Sequence, residues 1–214
     1  MNINELYSLW CEKAVDDPDL KQELISVADD SEGINDRFYR NLEFGTGGLR
    51  GVIGAGTNRM NIYTVRRATQ GFADYINEAF DKPSVAIAYD SRIKSDVFAK
   101  AAAGVFAANG IHVYIYGELM PTPMLSFAVR ELNCQAGVMV TASHNPSKYN
   151  GYKAYGADGC QLNLTDAETV IKKVNALDMF DGVKHIKFDD AVESGMVEYI
   201  GQSVIDKFLS LIHI

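Results

Sequence analysis

Residues 138–153, VMVTASHNPSKYNGYK, run from an apolar segment straight into a polar loop. The apolar part is short and rich in branched side chains, which predicts a buried strand that ends at Ser143. A proline disfavours helical backbone at Asn145, and the pair Asn150-Gly151 predicts a tight turn before the next strand. Because ligands of open α/β sheets bind beyond the carboxyl ends of strands, Ser143 lies where a ligand is expected.

The segments around this loop alternate between apolar strands and helical patterns. In this pattern Ser95 is placed to cap one helix, and Thr165 with Glu168 matches a capping box at the start of another. Residues 3 to about 40 show a helical, acidic pattern of their own. Strands are predicted at residues 84–90, 111–117 and 136–142, and helices at residues 63–80, 95–110, 122–132 and 164–177. Such alternation favours an α/β layer with a mostly parallel sheet.

The composition narrows the classes of function. The chain of 214 residues has a net charge of −8, which argues against a nucleic-acid partner because phosphate backbones are bound by basic surfaces. A local basic pocket can still bind a small anion. The three cysteines form no CxxC motif, which is typical of reduced thiols in a cytoplasmic protein. No apolar run approaches the roughly 20 residues of a membrane span, so no membrane partner is expected.

The serine loop is the first candidate for chemistry. Ser143 could hold a phosphate if donors and a cation surround it, and His144, Asn145 and Lys153 could supply them. A serine hydrolase is a weaker alternative, because neighbouring residues in an extended chain point to opposite sides and no G-x-S-x-G motif is present. Taken singly, a histidine or a lysine in a loop is more often structural than functional.

Two further stretches could bind anions. The glycine-rich FGTGGLRG, residues 44–51, would let the backbone approach an anion, and Arg50 could clamp a phosphate with its planar guanidinium. The same stretch could also be a plain turn between a helix and a strand. In YDSR, residues 89–92, Asp90 could cap or pair, and Arg92 could bind an anion or form a salt bridge. The residues alone therefore indicate an anion-binding α/β protein.

Taken together, these three stretches resemble one family. TASHNPSKYNGYK resembles the active-site serine loop of the α-D-phosphohexomutases, the phosphoglucomutase and phosphomannomutase family. FGTGGLRG with the following NRMN resembles the family's N-terminal arginine loop, and AYDSR resembles its Asp-x-Arg strand end. The motifs come in the family's order over roughly residues 40–162. The chain is most similar to the branch of phosphoglucomutases and phosphopentomutases that carries an N-terminal helical extension.

The resemblance implies a fold and a domain organisation. The implied fold is a three-layer α/β domain with a mixed, mostly parallel sheet and helices on both faces. Residues 1–40 would form the helical extension, and residues 41–195 would form the family's first domain with the serine loop. Residues 196–214 would be the start of a linker or a second domain.

The resemblance also implies roles for individual residues. Ser143 would be the phosphorylated serine, and its phosphoserine oxygen would be one ligand of Mg²⁺. Arg50 and Lys153 would act as acid/base or charge-stabilising groups, and His144 would contact the phosphoserine region. Phosphate would be bound by residues of both loops, namely Thr46, Gly47, Arg50, Asn145 and Lys153.

Motifs of the family's other domains are not found in this sequence. They are the Asp-Gly-Asp-x-Asp-Arg metal loop of the second domain, the Gly-Glu-x-Ser-Gly sugar-binding loop of the third, and the phosphate-binding loop of the fourth. We therefore expect a first domain whose partner domains II–IV lie outside this chain. The parent enzyme would move phosphate between C1 and C6 (or C5) of a phosphosugar, whereas this chain would be inactive alone and open to self-association. The alternative is a non-catalytic domain that binds a sugar phosphate or another anion.

Overall fold

Six strands form one sheet in the part of the chain that the structure describes, residues 2–212 of a computed structural model. In chain order the elements are α1 (Ile3–Lys13), α2 (Pro18–Ser26), α3 (Ser31–Phe38), β1 (Gly48–Val52), α4 (Ile62–Ala79), β2 (Ser84–Tyr89), α5 (Ser95–Ala108), β3 (His112–Ile115), α6 (Thr122–Glu131), β4 (Ala136–Val140), β5 (Tyr149–Gly156), α7 (Leu164–Ala176), α8 (Phe188–Glu193), β6 (Val197–Tyr199) and α9 (Gln202–Ile212). The strands predicted around β2, β3 and β4 are confirmed.

The strands follow the order β1-β5-β4-β2-β3-β6. From β4 to β6 neighbouring strands are parallel, whereas β5 runs antiparallel to β4 and β1 runs antiparallel to β5. The sheet is therefore mixed, as expected, with a parallel block and an antiparallel pair at one edge. Because β4 and β2 are parallel neighbours, their carboxyl ends place two loops side by side.

Side chains alternate across the sheet, and helices cover both of its faces. On β2, Val85 and Ile87 pack into one apolar core with α4, α5 and α7, whereas Ala86 and Ala88 pack into a second core with α6 and α9. This alternation is the two-residue period of a strand. The predicted three-layer arrangement is confirmed. Within residues 2–212, no helix has the length and apolar character needed to cross a lipid bilayer.

The N-terminal helices α1, α2 and α3 pack onto the α/β layers through Trp10. This side chain is fully buried and makes edge-to-face contacts with Phe38, Tyr63 and Phe180, with ring centroids 5.8, 5.7 and 5.4 Å apart. Truncating a buried aromatic side chain typically costs about 3–5 kcal/mol, so this contact is a main attachment of the extension. The domain boundaries at residues 40 and 195 stay predictions, and β6, which pairs with β3, lies beyond the second of them.

Two predictions around the serine loop were wrong. Ser95 does not cap α5, because Lys94 occupies the N-cap position and the hydroxyl of Ser95 donates instead to Asp90. Asn150-Gly151 is not a turn but part of β5. The Asn150 side chain is fully buried, and its amide donates to Ser95 Oγ over 2.9 Å, which holds it in the strand.

The predicted capping box at α7 was also wrong. The helix begins at Leu164, one residue before the predicted cap Thr165, and Asn163 is its N-cap residue. The side chain of Asn163 accepts from the N–H of Asp166 over 3.0 Å. An asparagine upstream of Thr165 therefore satisfies a free N–H group of the first turn, the task that the threonine was expected to perform.

Candidate active site

A cavity of about 470 Å³ opens at the edge of the sheet where β4 ends. Its walls come from the glycine-rich loop and β1, and from the serine loop and β5. Five residues that the sequence predicts to be functional line it, namely Thr46, Gly47, Arg50, Ser143 and Lys153. The fold thus joins two loops that are far apart in the sequence.

The register of β1 on β5 places two cations on the wall of this cavity. Arg50 pairs with Gly151, and Gly48 pairs with Lys153. Arg50 and Lys153 are therefore diagonal neighbours on one face of the antiparallel pair, a separation that long side chains can bridge. Gly48 permits this close approach, because at its φ of 152° a Cβ would lie 1.9 Å from the carbonyl oxygen of Tyr152.

Ser143 has a left-handed backbone conformation, with φ at 54°. Its N–H donates to Thr141 Oγ1 over 2.9 Å. The N–H of Asn145 donates to the carbonyl oxygen of Ala142 over 3.1 Å, which closes a tight turn around the serine. A left-handed conformation costs a residue other than glycine about 1–3 kcal/mol, and such strain is concentrated at functional sites. The turn leaves Ser143 exposed on the cavity wall.

Arg92, at the carboxyl end of β2, holds the backbone of the serine loop. Its Nη2 donates to the carbonyl oxygens of Ser143 and Asn145, and its Nη1 donates to those of Pro146 and Tyr149. A guanidinium suits this task because its N–H donors form a rigid planar fork. The side chain is only 12% exposed. Arg92 is therefore directed at the loop backbone and away from the solvent.

Asp90 connects the Arg92 side chain to Ser143 through a chain of hydrogen bonds. Its Oδ1 accepts from the N–H of Arg92 and from Ser95 Oγ, each over 3.0 Å. Its Oδ2 accepts from Thr141 Oγ1 and lies 3.7 Å from Arg92 Nε. Thr141 Oγ1 in turn accepts from the N–H of Ser143. The salt bridge that the sequence allowed for Arg92 is present, as one part of a larger network.

His144 lies beside the serine that precedes it, with Nδ1 3.3 Å from Ser143 Oγ. The prediction that an adjacent histidine points away from its serine was wrong, because the left-handed backbone at Ser143 takes the loop out of extended geometry. No group in the described part of the chain forms a hydrogen bond with the other ring nitrogen of His144, so a serine–histidine–acid triad is not assembled there. Asn145 approaches the cavity from the same loop, with Oδ1 3.4 Å from Arg50 Nη1.

Positive charge is concentrated in the cavity. Arg40, Arg50 and Lys153 line it together with one acid, Glu43. The cavity is thus locally cationic, although the whole chain has a net charge of −8. Among residues 2–212, no carboxylate pairs with Arg50 or Lys153. Such a pocket favours a small anion with more than one negative charge, such as phosphate.

The described residues do not form a magnesium site by themselves. They contain no group of three or more histidine, cysteine, aspartate or glutamate side chains arranged to hold a metal ion. The carboxylate of Asp90, which is bonded into the serine loop, already accepts hydrogen bonds from three neighbouring groups. Mg²⁺ requires near-octahedral oxygen coordination, commonly with one or two carboxylates, so Ser143 could supply only one ligand.

Some features of this site were not predicted from the sequence. Arg40 and Glu43 precede the glycine-rich loop, and no motif separates them from the other charges of the helical extension. The hydrogen bonds from Arg92 to the carbonyl oxygens of the serine loop were also not predicted, although the YDSR stretch is recognisable at a strand end. Which carbonyl oxygens a guanidinium reaches depends on the path of a loop in another part of the chain, and a local pattern does not encode that path.

Residues 41–180 match the family described as phosphoglucomutase/phosphomannomutase, alpha/beta/alpha domain I. A phosphoglucomutase of Staphylococcus saprophyticus is 40% identical over 167 residues, which are 78% of this chain and 30% of that protein. A phosphoglucomutase of Staphylococcus haemolyticus is 46% identical over 140 residues, which are 65% of this chain and 26% of that protein. The chain thus spans less than a third of the length of these relatives.

A solved structure supports the same relationship. A Thermus thermophilus protein described as a phosphomannomutase is 32% identical and has a TM-score of 0.61, with 69% of this chain and 32% of that chain covered. The match of the family over residues 41–180 includes the glycine-rich loop, the YDSR strand end and the serine loop. The chain belongs to the phosphoglucomutase/phosphomannomutase family and contains its α/β/α domain I.

Proposed function

We propose that this chain is the N-terminal domain of a phosphosugar mutase, an intramolecular phosphotransferase that moves phosphate between C1 and C6 (or C5) of a sugar. The observation that carries the proposal is the convergence of Ser143, Arg50 and Lys153 on one cationic cavity. Membership of the family and the relatives described as phosphoglucomutases support this class of reaction. A cytoplasmic location fits the proposal and is itself a prediction.

In the proposed cycle, Ser143 Oγ carries the phosphoryl group. The bond between Oγ and phosphorus breaks as a sugar hydroxyl oxygen bonds to phosphorus, and the hydroxyl proton leaves as Oγ regains one. The product is a sugar bisphosphate. After it turns around, its other phosphoryl group returns to Ser143 and a sugar monophosphate is released. Such transfers depend on positioning and on stabilisation of the phosphoryl charge.

The cavity and the serine loop offer groups for each of these tasks. Arg50 and Lys153 are proposed to balance the charge of the phosphoryl group and to assist proton transfer. His144 is proposed to contact the phosphoserine, since its ring lies beside Oγ. Thr46 and Asn145 are proposed as further phosphate contacts. The N–H of Gly47 already donates to the carbonyl oxygen of Gly45 over 2.6 Å, so it is not available to a ligand. We propose instead that this glycine, which has no side chain, lets the phosphate come close to the backbone.

The rest of the machinery is proposed to come from outside this chain. One phosphoserine oxygen would be a ligand of Mg²⁺, whereas the carboxylate ligands and the groups that orient the sugar would belong to partner domains II–IV. Self-association through surface that those domains would cover is part of the proposal. Exposed apolar side chains in the last turns of α9, Leu209, Leu211 and Ile212, are candidates for such a surface.

A non-catalytic domain that binds a sugar phosphate is the second candidate. It is favoured by the incomplete metal site within residues 2–212. Both candidates use the same cavity, and they differ in whether Ser143 takes up phosphate. Phosphorylation of Ser143 by a sugar bisphosphate therefore separates them.

Calorimetric titration tests the anion-binding function that both candidates share. We expect a hexose 6-phosphate to bind with a saturable signal and the unphosphorylated hexose to give none. Lys153→Met should weaken the binding by about tenfold, which corresponds to about 1.4 kcal/mol. Absence of hexose phosphate binding, or equal binding of the hexose without phosphate, would contradict the proposed function.

A further inference from the structure

We infer that Arg40, which follows α3 of the helical extension, is a further phosphate-binding residue of the cavity. The inference rests on the proposed function and extends it to a part of the chain outside the serine and glycine-rich loops. Arg40 lines the same cavity as Arg50, Ser143 and Lys153. It comes from a segment different from those that carry the other two cations, so it would approach a bound anion from a direction of its own.

The backbone around Arg40 is fixed to the layer that forms the cavity. The carbonyl oxygen of Arg40 accepts from Thr57 Oγ1 over 2.7 Å. The N–H of Leu42 donates to the carbonyl oxygen of Thr57, also over 2.7 Å. One threonine therefore holds both ends of the short segment, and the guanidinium lies 5.1 Å from the centre of the Tyr39 ring. The base of the side chain is well positioned before any ligand binds.

Most of the N–H donors of the Arg40 guanidinium form no hydrogen bond within the described part of the chain. Its Nε donates to Asn58 Oδ1 over a long 3.3 Å. Its Nη1 lies 4.0 Å from Glu43 Oε1, which is beyond hydrogen-bond distance. In the described part of the chain, no other group accepts a hydrogen bond from the Arg40 side chain, so the donors of both terminal nitrogens are available. A positioned arginine with free planar donors is suited to bind a phosphate through two hydrogen bonds.

The neighbouring acid does not remove this capacity. Glu43 is 82% exposed on its side chain, and Arg40 is 55% exposed. Exposed ion pairs of this kind contribute little, so a phosphate can replace the carboxylate as partner at small cost. With Arg40 included, three cations and one acid surround the anion, and the positive charge that remains matches a phosphate dianion.

Titration with inorganic phosphate at constant ionic strength tests the inference. Four variants should be compared with the wild-type chain: Arg40→Ala, Arg40→Lys, Lys153→Met and Arg130→Ala. Arg130 is the matched control, because it is an exposed arginine on α6 whose Nε donates within its own helix. We expect Arg40→Ala to raise the Kd of phosphate about five- to tenfold, Arg40→Lys to raise it less, and Arg130→Ala to leave it unchanged. The thermal midpoint of Arg40→Ala should match the wild type, because the anchoring hydrogen bonds use backbone atoms.

The outcomes separate this inference from the proposed function. If Lys153→Met weakens phosphate binding and Arg40→Ala does not, the role of Arg40 is overturned and the proposed function stands. If Arg130→Ala weakens binding as much as Arg40→Ala does, the effect is one of total charge, and the inference is likewise overturned. If the wild-type chain binds no phosphate, both the inference and the proposed function are contradicted.

Discussion

The guanidinium of Arg92 donates to the carbonyl oxygen of Ser143, so the end of β2 fixes the residue proposed to carry phosphate at the end of β4. Three further carbonyl oxygens of the same loop accept from this guanidinium. The strained backbone of Ser143 is therefore imposed by contacts from a neighbouring strand. A local preference of the loop sequence does not account for it, because few residues other than glycine favour a positive φ.

Replacing Arg92 by lysine or alanine should loosen the serine loop. An ammonium group has no planar fork and cannot reach four carbonyl oxygens at once. We expect the free energy of unfolding to fall by about 1–3 kcal/mol, the scale of lost hydrogen bonds to a charged group. Amide hydrogen exchange at Ser143 and Asn145 should become faster, as measured by mass spectrometry of loop peptides.

Arg130→Ala is the control for this experiment, since it removes an exposed arginine that does not contact the loop. Unchanged exchange in the serine loop of Arg92→Ala would show that the hydrogen bonds from Arg92 are not needed to hold the loop. Restored exchange protection in Arg92→Lys would show that charge alone suffices.

Lys153→Met should slow phosphoryl transfer to the chain far more than it affects stability. The ammonium group of Lys153 has no hydrogen-bond or ion-pair partner within residues 2–212, so the substitution leaves no group unpaired, and methionine retains most of the apolar stem. We expect the transfer rate from a sugar bisphosphate to fall at least about tenfold, and the free energy of unfolding to change by no more than about 0.5 kcal/mol, as for most surface substitutions. Lys172→Met on α7 is the matched control, and parallel losses of rate and stability in Lys153→Met would contradict the assigned role.

Most of the layers of this fold could be predicted from the sequence because most of their strands and helices have a local signature, whereas β1, α8 and β6 were not predicted. The apolar runs of β2 and β4 and the regular patterns of α4 and α6 depend on short-range periodicity. The turn at Asn150-Gly151 was predicted wrongly, because burial of the Asn150 side chain against Ser95 and Ile93 overrides the local turn preference. The contact of His144 with Ser143 was missed for a similar reason, since it depends on a positive φ at Ser143 that Arg92 holds from another strand, together with a local hydrogen bond to Thr141.

The candidate site likewise has residues that the sequence could predict and features that depend on the folded chain. Ser143, Arg50 and Lys153 belong to stretches that resemble a known family, so the sequence could nominate them. Their approach to one cavity depends on the antiparallel register of β1 on β5, and Gly48 permits that register by carrying no side chain. Arg40 has no motif, and only its position in the folded chain distinguishes it.

The three cysteines should differ in reactivity. Burial raises the pKa of the Cys134 thiol to about 11, whereas Cys11 and Cys160 are exposed. Since the thiolate is the reactive form, Cys134 should stay protonated and unreactive near a pH of about 8. A disulfide-exchange reagent should label Cys11 and Cys160 rapidly in the native chain and reach Cys134 only after unfolding. Rapid labelling of all three in the native state would contradict the packing around Cys134.

The isolated chain should not interconvert hexose 1- and 6-phosphates. Orientation of a substrate can supply about 7–11 kcal/mol of barrier reduction, and the groups proposed to orient the sugar lie outside this chain. A single slow transfer to Ser143 can still accumulate during a long incubation, whereas turnover needs both ends of the sugar to be oriented in succession. We expect no turnover above a control preparation of Ser143→Ala, with Mg²⁺ and a bisphosphate activator present. Turnover at ordinary enzyme rates by a preparation free of host enzymes would contradict the proposal that turnover requires groups from outside this chain.

The central claim is that Ser143 accepts phosphate, and the most direct measurement is the position of phosphate on the chain after incubation with a sugar bisphosphate. Peptide mass spectrometry should find one phosphate on Ser143. It should be lost in Ser143→Ala and retained in Ser147→Ala, which removes the other serine of the same loop. Phosphate found only on Ser147, or uptake that persists in Ser143→Ala, would contradict the account.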